Sequence, residues 1–156
     1  MKMKKWRMAG MGKKHTILVV DDDDMNLQMA EFILKKEMDV DVVLAESGYK
    51  CISLLQKKMA IDLILLDIQM PRMDGIKTLE TIRSHAEWKD IPVIFLTASA
   101  DRNTVVKASQ LKVDDYIKKP FTPADLVERV NKVLATKMLD SPDMAKLFAD
   151  LENLGK

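Results

Sequence analysis

Three short stretches, 17–20, 63–66 and 92–96, are apolar at every position, and each stops at a hydrophilic residue: Asp21 and Asp22, Asp67, and Thr97. A strand with one face in water alternates apolar and polar residues. An unbroken apolar run of four or five is what a strand carries when both of its faces are covered. Such strands belong to parallel sheets, whose crossovers lay helices on the two faces.

The segments between the runs supply those crossovers. Residues 24–38 carry Met25, Met29, Phe32 and Ile33 at helical spacing, and 49–59 turn Cys51, Ile52, Leu54 and Leu55 to one side. Residues 76–85 read as a helix and 102–111 as a weaker one. Val40–Ala45 has strand character, and 116–117 form a short strand closed by Lys119-Pro120. Thr122 and Pro123 are an N-cap and a first helical residue for a helix running to about Met138.

Five strand–helix units follow in about 120 residues. The class is α/β: a doubly wound, five-stranded parallel sheet of flavodoxin-like (βα)5 type. In such a sheet the ligand crevice lies beyond the carboxyl ends of the strands.

The 156 residues suffice for one domain with two extensions. Residues 1–15 hold six basic and no acidic residues and show no hydrophobic periodicity. They read as a flexible basic extension and have no apolar stretch of the kind a secretory signal needs. Residues 16–138 form the domain, with 19 basic against 24 acidic residues from position 16 onward. That acidic balance argues against direct nucleic-acid binding despite a net charge of +1 for the whole chain.

Residues 139–156 add a short amphipathic helix. Ser141 is its N-cap, Pro142 its first residue, and Met144, Leu147, Phe148, Leu151 and Leu154 form its apolar stripe. Packing on its own domain is the leading role, with dimerisation or partner docking second. A single cysteine gives no intrachain disulfide and points to a reducing, cytoplasmic setting. No apolar run is long enough for a membrane-spanning helix.

The strand order also gathers chemistry at one edge. Asp21, Asp22 and Asp67 end apolar runs, Thr97 ends a third, and Lys119 follows the last. Carboxylates that close oppose one another's ionisation, and a hard divalent cation with oxygen ligands relieves them. A cation, a lysine and a hydroxyl around one carboxylate suit phosphoryl binding or transfer.

Four segments in register then carry a specific likeness. They are Ile17-Leu18-Val19-Val20-Asp21-Asp22, the stretch from Leu63 through Asp67 to Asp74-Gly75, Ile94-Phe95-Leu96-Thr97-Ala98, and Asp115-Tyr116-Ile117-Lys118-Lys119-Pro120-Phe121. Over about residues 16–138 the chain resembles the receiver domain of two-component response regulators.

The resemblance implies that Asp67 accepts a phosphoryl group from a histidine kinase or histidine phosphotransfer protein. It implies that Asp21, Asp22, Asp67 and the backbone carbonyl of Gln69 serve Mg²⁺ or Mn²⁺. Thr97 and the backbone amide of Ala98 then meet the phosphoryl oxygens, and Lys119 pairs with them. Tyr116 turns inward with Thr97, and Lys119-Pro120 is cis. The output surface lies around the fourth helix, fifth strand and fifth helix. It serves a downstream protein target and leaves room for a phosphorylation-dependent dimer. Stand-alone receiver and receiver excised from a longer regulator both remain open.

Beside this switch stands an enzyme reading, an aspartate-nucleophile phosphohydrolase. That chemistry wants a second aspartate two residues after the nucleophile. Gln69 occupies the position and transfers no proton usefully.

Several neighbouring residues have simpler roles. Asp23 and Asp24 suit the first helix N-terminus. A calcium loop starting at Asp22 is excluded by Leu27 and Ile33 at its glycine and glutamate positions. Cys51 is a core residue, Trp88 a partly buried loop anchor, and His15 and His85 lie away from the site. Lys112-Val113 stands where the family commonly has Gly-Ala, so the loop into the fifth strand is expected to differ in shape. Ser99 and Gln69 flank the path by which water would reach the phosphoryl group.

Overall fold

The computed structural model describes residues 14–98, 101–139 and 142–154. Ser99, Ser141 and the segment before Lys14 lie outside the described residues.

Strands β1 (His15–Val20), β2 (Val40–Ala45), β3 (Leu63–Asp67), β4 (Val93–Thr97) and β5 (Asp115–Lys118) form one sheet in the order β2-β1-β3-β4-β5. All four pairings are parallel. Helices α1 (Asp24–Glu37), α2 (Gly48–Gln56), α3 (Gly75–Ser84), α4 (Arg102–Gln110) and α5 (Pro123–Leu139) make the crossovers and the closing element. The added helix α6 spans Pro142–Leu154.

Alternate residues of each strand supply two cores, one on each face. Ile17, Val19, Leu63, Leu65, Ile94 and Leu96 pack with α1 and α5. Leu18, Val20, Ile64, Leu66, Val93 and Phe95 pack with α2, α3 and α4. Every residue of β3 and of β4 is buried, which is why their sequences show no alternation.

The helix starts are set locally. Asp23 accepts from the Met25 amide, Ser47 from Lys50, Asp74 from Lys77, Asp101 from Thr104 and Thr122 from Asp125. Each satisfies an amide that has no partner within its helix. Asp23 is thus a cap and Asp24 a first-turn acid, as expected.

Two expectations are corrected. The first strand begins at His15, so the strand takes in one residue assigned to the extension. Helix α1 forms where expected, but its buried face is Leu27, Ala30, Ile33 and Leu34, while Met25, Met29 and Phe32 face solvent. The helix carries two apolar stripes, and the one containing Ala30 lies against the sheet, where a small residue allows close approach. In α6, Leu147, Leu151 and Leu154 are exposed, while the side chains of Met144 and Phe148 lie outside the described residues.

Two smaller differences concern degree. Ile52 is only half-buried, and Trp88 is fully buried and stacks on His85 with ring centroids 3.8 Å apart. Cys51 is buried in the core, as expected.

Lys112 keeps the loop into β5 turning by adopting φ 58°, the left-handed region that a glycine enters without strain. The loop therefore makes its turn through a left-handed lysine. Arg83 of α3 braces it, donating from Nε to the Leu111 carbonyl at 2.9 Å and from a terminal nitrogen to that of Lys112 at 3.2 Å.

Candidate functional site

The carboxyl ends of β1, β3, β4 and β5 bring the expected residues to one edge. Asp21 follows β1, Asp67 ends β3, Thr97 ends β4 and Lys119 follows β5. Asp21, Asp67 and Thr97 are buried, while Asp22 and Ala98 are exposed at the rim. Carboxylate oxygens of Asp21, Asp22 and Asp67 all lie within 4.8 Å of one another.

Lys119 reaches into this cluster. Its Nζ stands 2.8 Å from Asp21 Oδ2 and 3.2 Å from Asp67 Oδ1. The backbone fixes its approach: the Lys119 amide donates to the Thr97 carbonyl at 2.8 Å, and Lys119-Pro120 is cis. The Asp23 amide donates to Asp21 Oδ1 at 2.9 Å, and the Gln69 amide to Asp67 Oδ1 at 3.3 Å.

These contacts tune the charges. Burial pushes the Asp67 carboxyl up to about 7, and the Asp21 carboxylate adds to that rise. Lys119 and the Gln69 amide pull against it. The sequence suggested like-charge repulsion as the cause, and burial is the larger one. For Lys119 itself, burial favours the neutral amine, but Asp21 and Asp67 outweigh it and hold the ammonium above its ordinary range.

Asp21 Oδ2 is fully buried, and its partner is the Lys119 ammonium at 2.8 Å. With Asp22 and Asp67 it makes a cluster of hard oxygen donors of the kind a divalent cation takes. The residues present fit a divalent cation.

Gly75 is a site residue that motif reading treated only as a turn former. Its amide donates to the Ile68 carbonyl at 2.7 Å, drawing the α3 N-terminus onto the end of β3. A Cβ at this position would collide with the Asp67 carbonyl oxygen and come within 2.7 Å of Ile68 Cα. Only glycine allows that approach. The Asp-Gly pair before an apolar periodic segment was the available signal.

Tyr116 is half-buried at the opening of a cavity of about 630 Å³, lined by Thr97, Ala98, Val105, Asp115, Lys118 and Arg129 besides Tyr116 itself. Its ring tilts against Phe95 at 6.2 Å, and its hydroxyl reaches the Val105 carbonyl of α4 at 3.4 Å. Arg129 of α5 bonds Asp115 at 2.7 Å across the same face.

Residues 17–131 match the family model described as the response regulator receiver domain. The chain belongs to that family. It is 35% identical over 125 residues to chemotaxis protein CheY-3 of Vibrio cholerae, covering 80% of this chain and 95% of that one. It is 40% identical over 127 residues to hybrid signal transduction histidine kinase D of Dictyostelium discoideum, covering 80% of this chain but 8% of that much longer protein.

Among solved structures, a CheY-like response regulator receiver domain protein from Methanospirillum hungatei superposes with a TM-score of 0.76 at 27% identity, covering 83% of this chain and all of the other. A response regulator from Chloroflexus aurantiacus gives 0.72 at 34% identity, with coverage of 79% and 99%. The receiver fold and a place in two-component signalling follow. Among the described residues no helix is long and apolar enough to cross a membrane.

Proposed function

We propose that Asp67 is the phosphoacceptor of this receiver and that a phospho-histidine of a histidine kinase or phosphotransfer protein is its donor. The observation that carries the reading is the pairing of a buried Asp67 with Lys119 inside the cluster of Asp21, Asp22 and Asp67 carboxylates. A carboxylate oxygen of Asp67 attacks phosphorus. The phosphorus–nitrogen bond breaks, and the imidazole leaves with its electron pair and takes a proton from solvent.

Lys119 exchanges its carboxylate partner for a phosphoryl oxygen, offsetting charge where the transition state develops it. Thr97 and the exposed Ala98 amide stand at the end of β4, where a hydroxyl and an N–H meet a new anion on Asp67. Asp21, Asp22 and Asp67, with the Gln69 carbonyl, would hold Mg²⁺ or Mn²⁺. When bound, that ion neutralises the cluster and orients a phosphoryl oxygen.

Movement of Thr97 toward the phosphoryl group empties space that the Tyr116 ring can enter from the cavity at the α4–β5–α5 face. Phosphorylation thereby shifts an equilibrium between two shapes of that face, which a downstream protein reads. The protein is a switch rather than a turnover enzyme, because Gln69 offers no acid–base group beside Asp67.

The test is incubation with Mg²⁺ and a small acyl-phosphate donor, followed by intact-mass measurement. Wild type gains one phosphoryl group, and Asp67→Asn gains none. Equal labelling of the two proteins overturns the assignment.

A further inference from the structure

The loop between β3 and α3 carries the Gln69 carbonyl, and its path is not a relaxed one. Arg72 stands at φ 68°, a left-handed conformation that strains any residue with a side chain. Such a turn persists only where packing on both sides holds it. On the strand side the Ile68 amide donates to the Leu96 carbonyl at 3.2 Å, and Met70 is buried. On the helix side the Gly75 amide returns to the Ile68 carbonyl at 2.7 Å, and Met73 is half-buried against the start of α2.

Gly48 opens α2 directly after its Ser47 cap. Glycine is a poor helix former, so its place in α2 needs a reason outside the helix. The reason is space. Gly48 is buried, and a Cβ there would collide with Thr78 Oγ1 and come within 3.1 Å of both Cγ and Sδ of Met73. Thr78 does not swing aside freely, because it is fully buried and its hydroxyl donates to the Asp74 carbonyl at 2.8 Å. Met73 and Asp74 are consecutive residues at the helix end of the loop, so both contacts press on one point. The bond from the Gly75 amide to the Ile68 carbonyl carries that pressure to the residue next to Gln69.

We propose that Gly48 is a positioning residue for the cation site, an inference that rests on Gln69 being a ligand. By leaving room for Met73 and Thr78, the start of α2 sets the loop that presents the Gln69 carbonyl. Gly48 acts through those two side chains and touches neither the ion nor the phosphoryl group.

Amide NMR of the isotope-labelled full chain during a MgCl₂ titration reads folding and affinity together. Wild type shows saturable shifts around Asp67 and Gln69. Asp67→Asn loses most of that affinity, which tests the cation site separately from Gly48. Gly48→Ala raises the Mg²⁺ dissociation constant about tenfold, the scale expected when a group that orients a ligand is disturbed. Adding Thr78→Ala vacates the place of the hydroxyl, and the double variant recovers most of the lost affinity. Met73→Ala removes the anchor without adding bulk and weakens binding by a smaller factor, which keeps the test open if Gly48→Ala does not fold. Leu54→Ala truncates a buried side chain further along α2 and leaves Mg²⁺ affinity unchanged while lowering stability.

Wild-type affinity in both Gly48→Ala and Met73→Ala overturns the proposal while Asp67→Asn still marks the cation site. So does a loss in Leu54→Ala equal to that in Gly48→Ala, which reports helix stability alone. A double variant no better than Gly48→Ala also overturns it. If wild type itself shows no saturable shift, the cation site fails, and this proposal with it.

Discussion

At each end of the sheet one lysine stands between two aspartates, and the two arrangements behave differently. At the amino end, Lys14 lies 3.6 Å from Asp39 and 3.7 Å from Asp41, with its side chain 44% exposed. At the carboxyl end, Lys119 lies 2.8 Å from Asp21 and 3.2 Å from Asp67, and is 16% exposed between two buried acids. The residue types are the same. At the wet end water screens the charges, and the pairs add little to stability. At the dry end burial and the neighbouring charges raise the Asp67 carboxyl, and the two acids hold the Lys119 ammonium above its ordinary range.

The largest expected difference between the two ends comes from removing each lysine. Lys119→Met leaves Asp21 and Asp67 buried without a cation. Measured at pH 8 with a chelator present, it lowers the free energy of urea unfolding by roughly 3 kcal/mol. Lys14→Met changes the same quantity by less than about 0.5 kcal/mol. Equal losses at the two ends would break the comparison.

Gly75→Ala sharpens it from the backbone side. Forcing a methyl group between α3 and the end of β3 destabilises the fold by about 1–3 kcal/mol. It also slows phosphorylation of Asp67 by shifting its carbonyl. A variant that is less stable but phosphorylated at the wild-type rate would show that the close approach serves packing alone.

The pH dependence follows from Asp67. Its carboxyl titrates at about 7 in the folded chain against 3.8 as the ordinary value. Between these limits the folded protein holds a proton that the unfolded chain has released. The stabilisation is complete below pH 3.8 and is lost as pH rises through about 7, at up to about 1.4 kcal/mol for each pH unit. The difference in stability between wild type and Asp67→Asn, followed by urea melts in chelator, should show that fall. Millimolar Mg²⁺ should flatten it by supplying the charge that the proton supplied.

A small effect lies in the loop braced by Arg83. Lys112→Gly relieves a left-handed lysine but loosens the unfolded chain, so a net gain of up to about 1 kcal/mol is expected in thermal unfolding.

Much of this was legible in the sequence, for physical reasons that differ by region. Unbroken apolar runs ending in Asp21, Asp67 and Thr97 specify buried parallel strands and place those residues at one edge. Strand order and site composition follow together, because in this topology the position of a residue along a strand decides its place in space. Helix α1 was less legible. It has two apolar stripes, and periodicity alone does not say that Leu27 and Ile33 face the sheet while Met25 and Phe32 face water. Gly75 escaped because its role depends on a contact with the backbone of Asp67 that no spacing rule encodes. The dominance of burial over repulsion at Asp67 depends on how the loops close over the edge, which is a property of the packed molecule.

The central claim is that burial makes the carboxyl-end cluster a cation-dependent phosphoryl acceptor. Peptide mapping after incubation with an acyl-phosphate donor tests it most directly, with Mg²⁺ in one sample and a chelator in the other. The account predicts a phosphoryl group on the peptide containing Asp67, present with Mg²⁺ and absent with chelator. Labelling undiminished by chelator, or located on any other peptide, would contradict it.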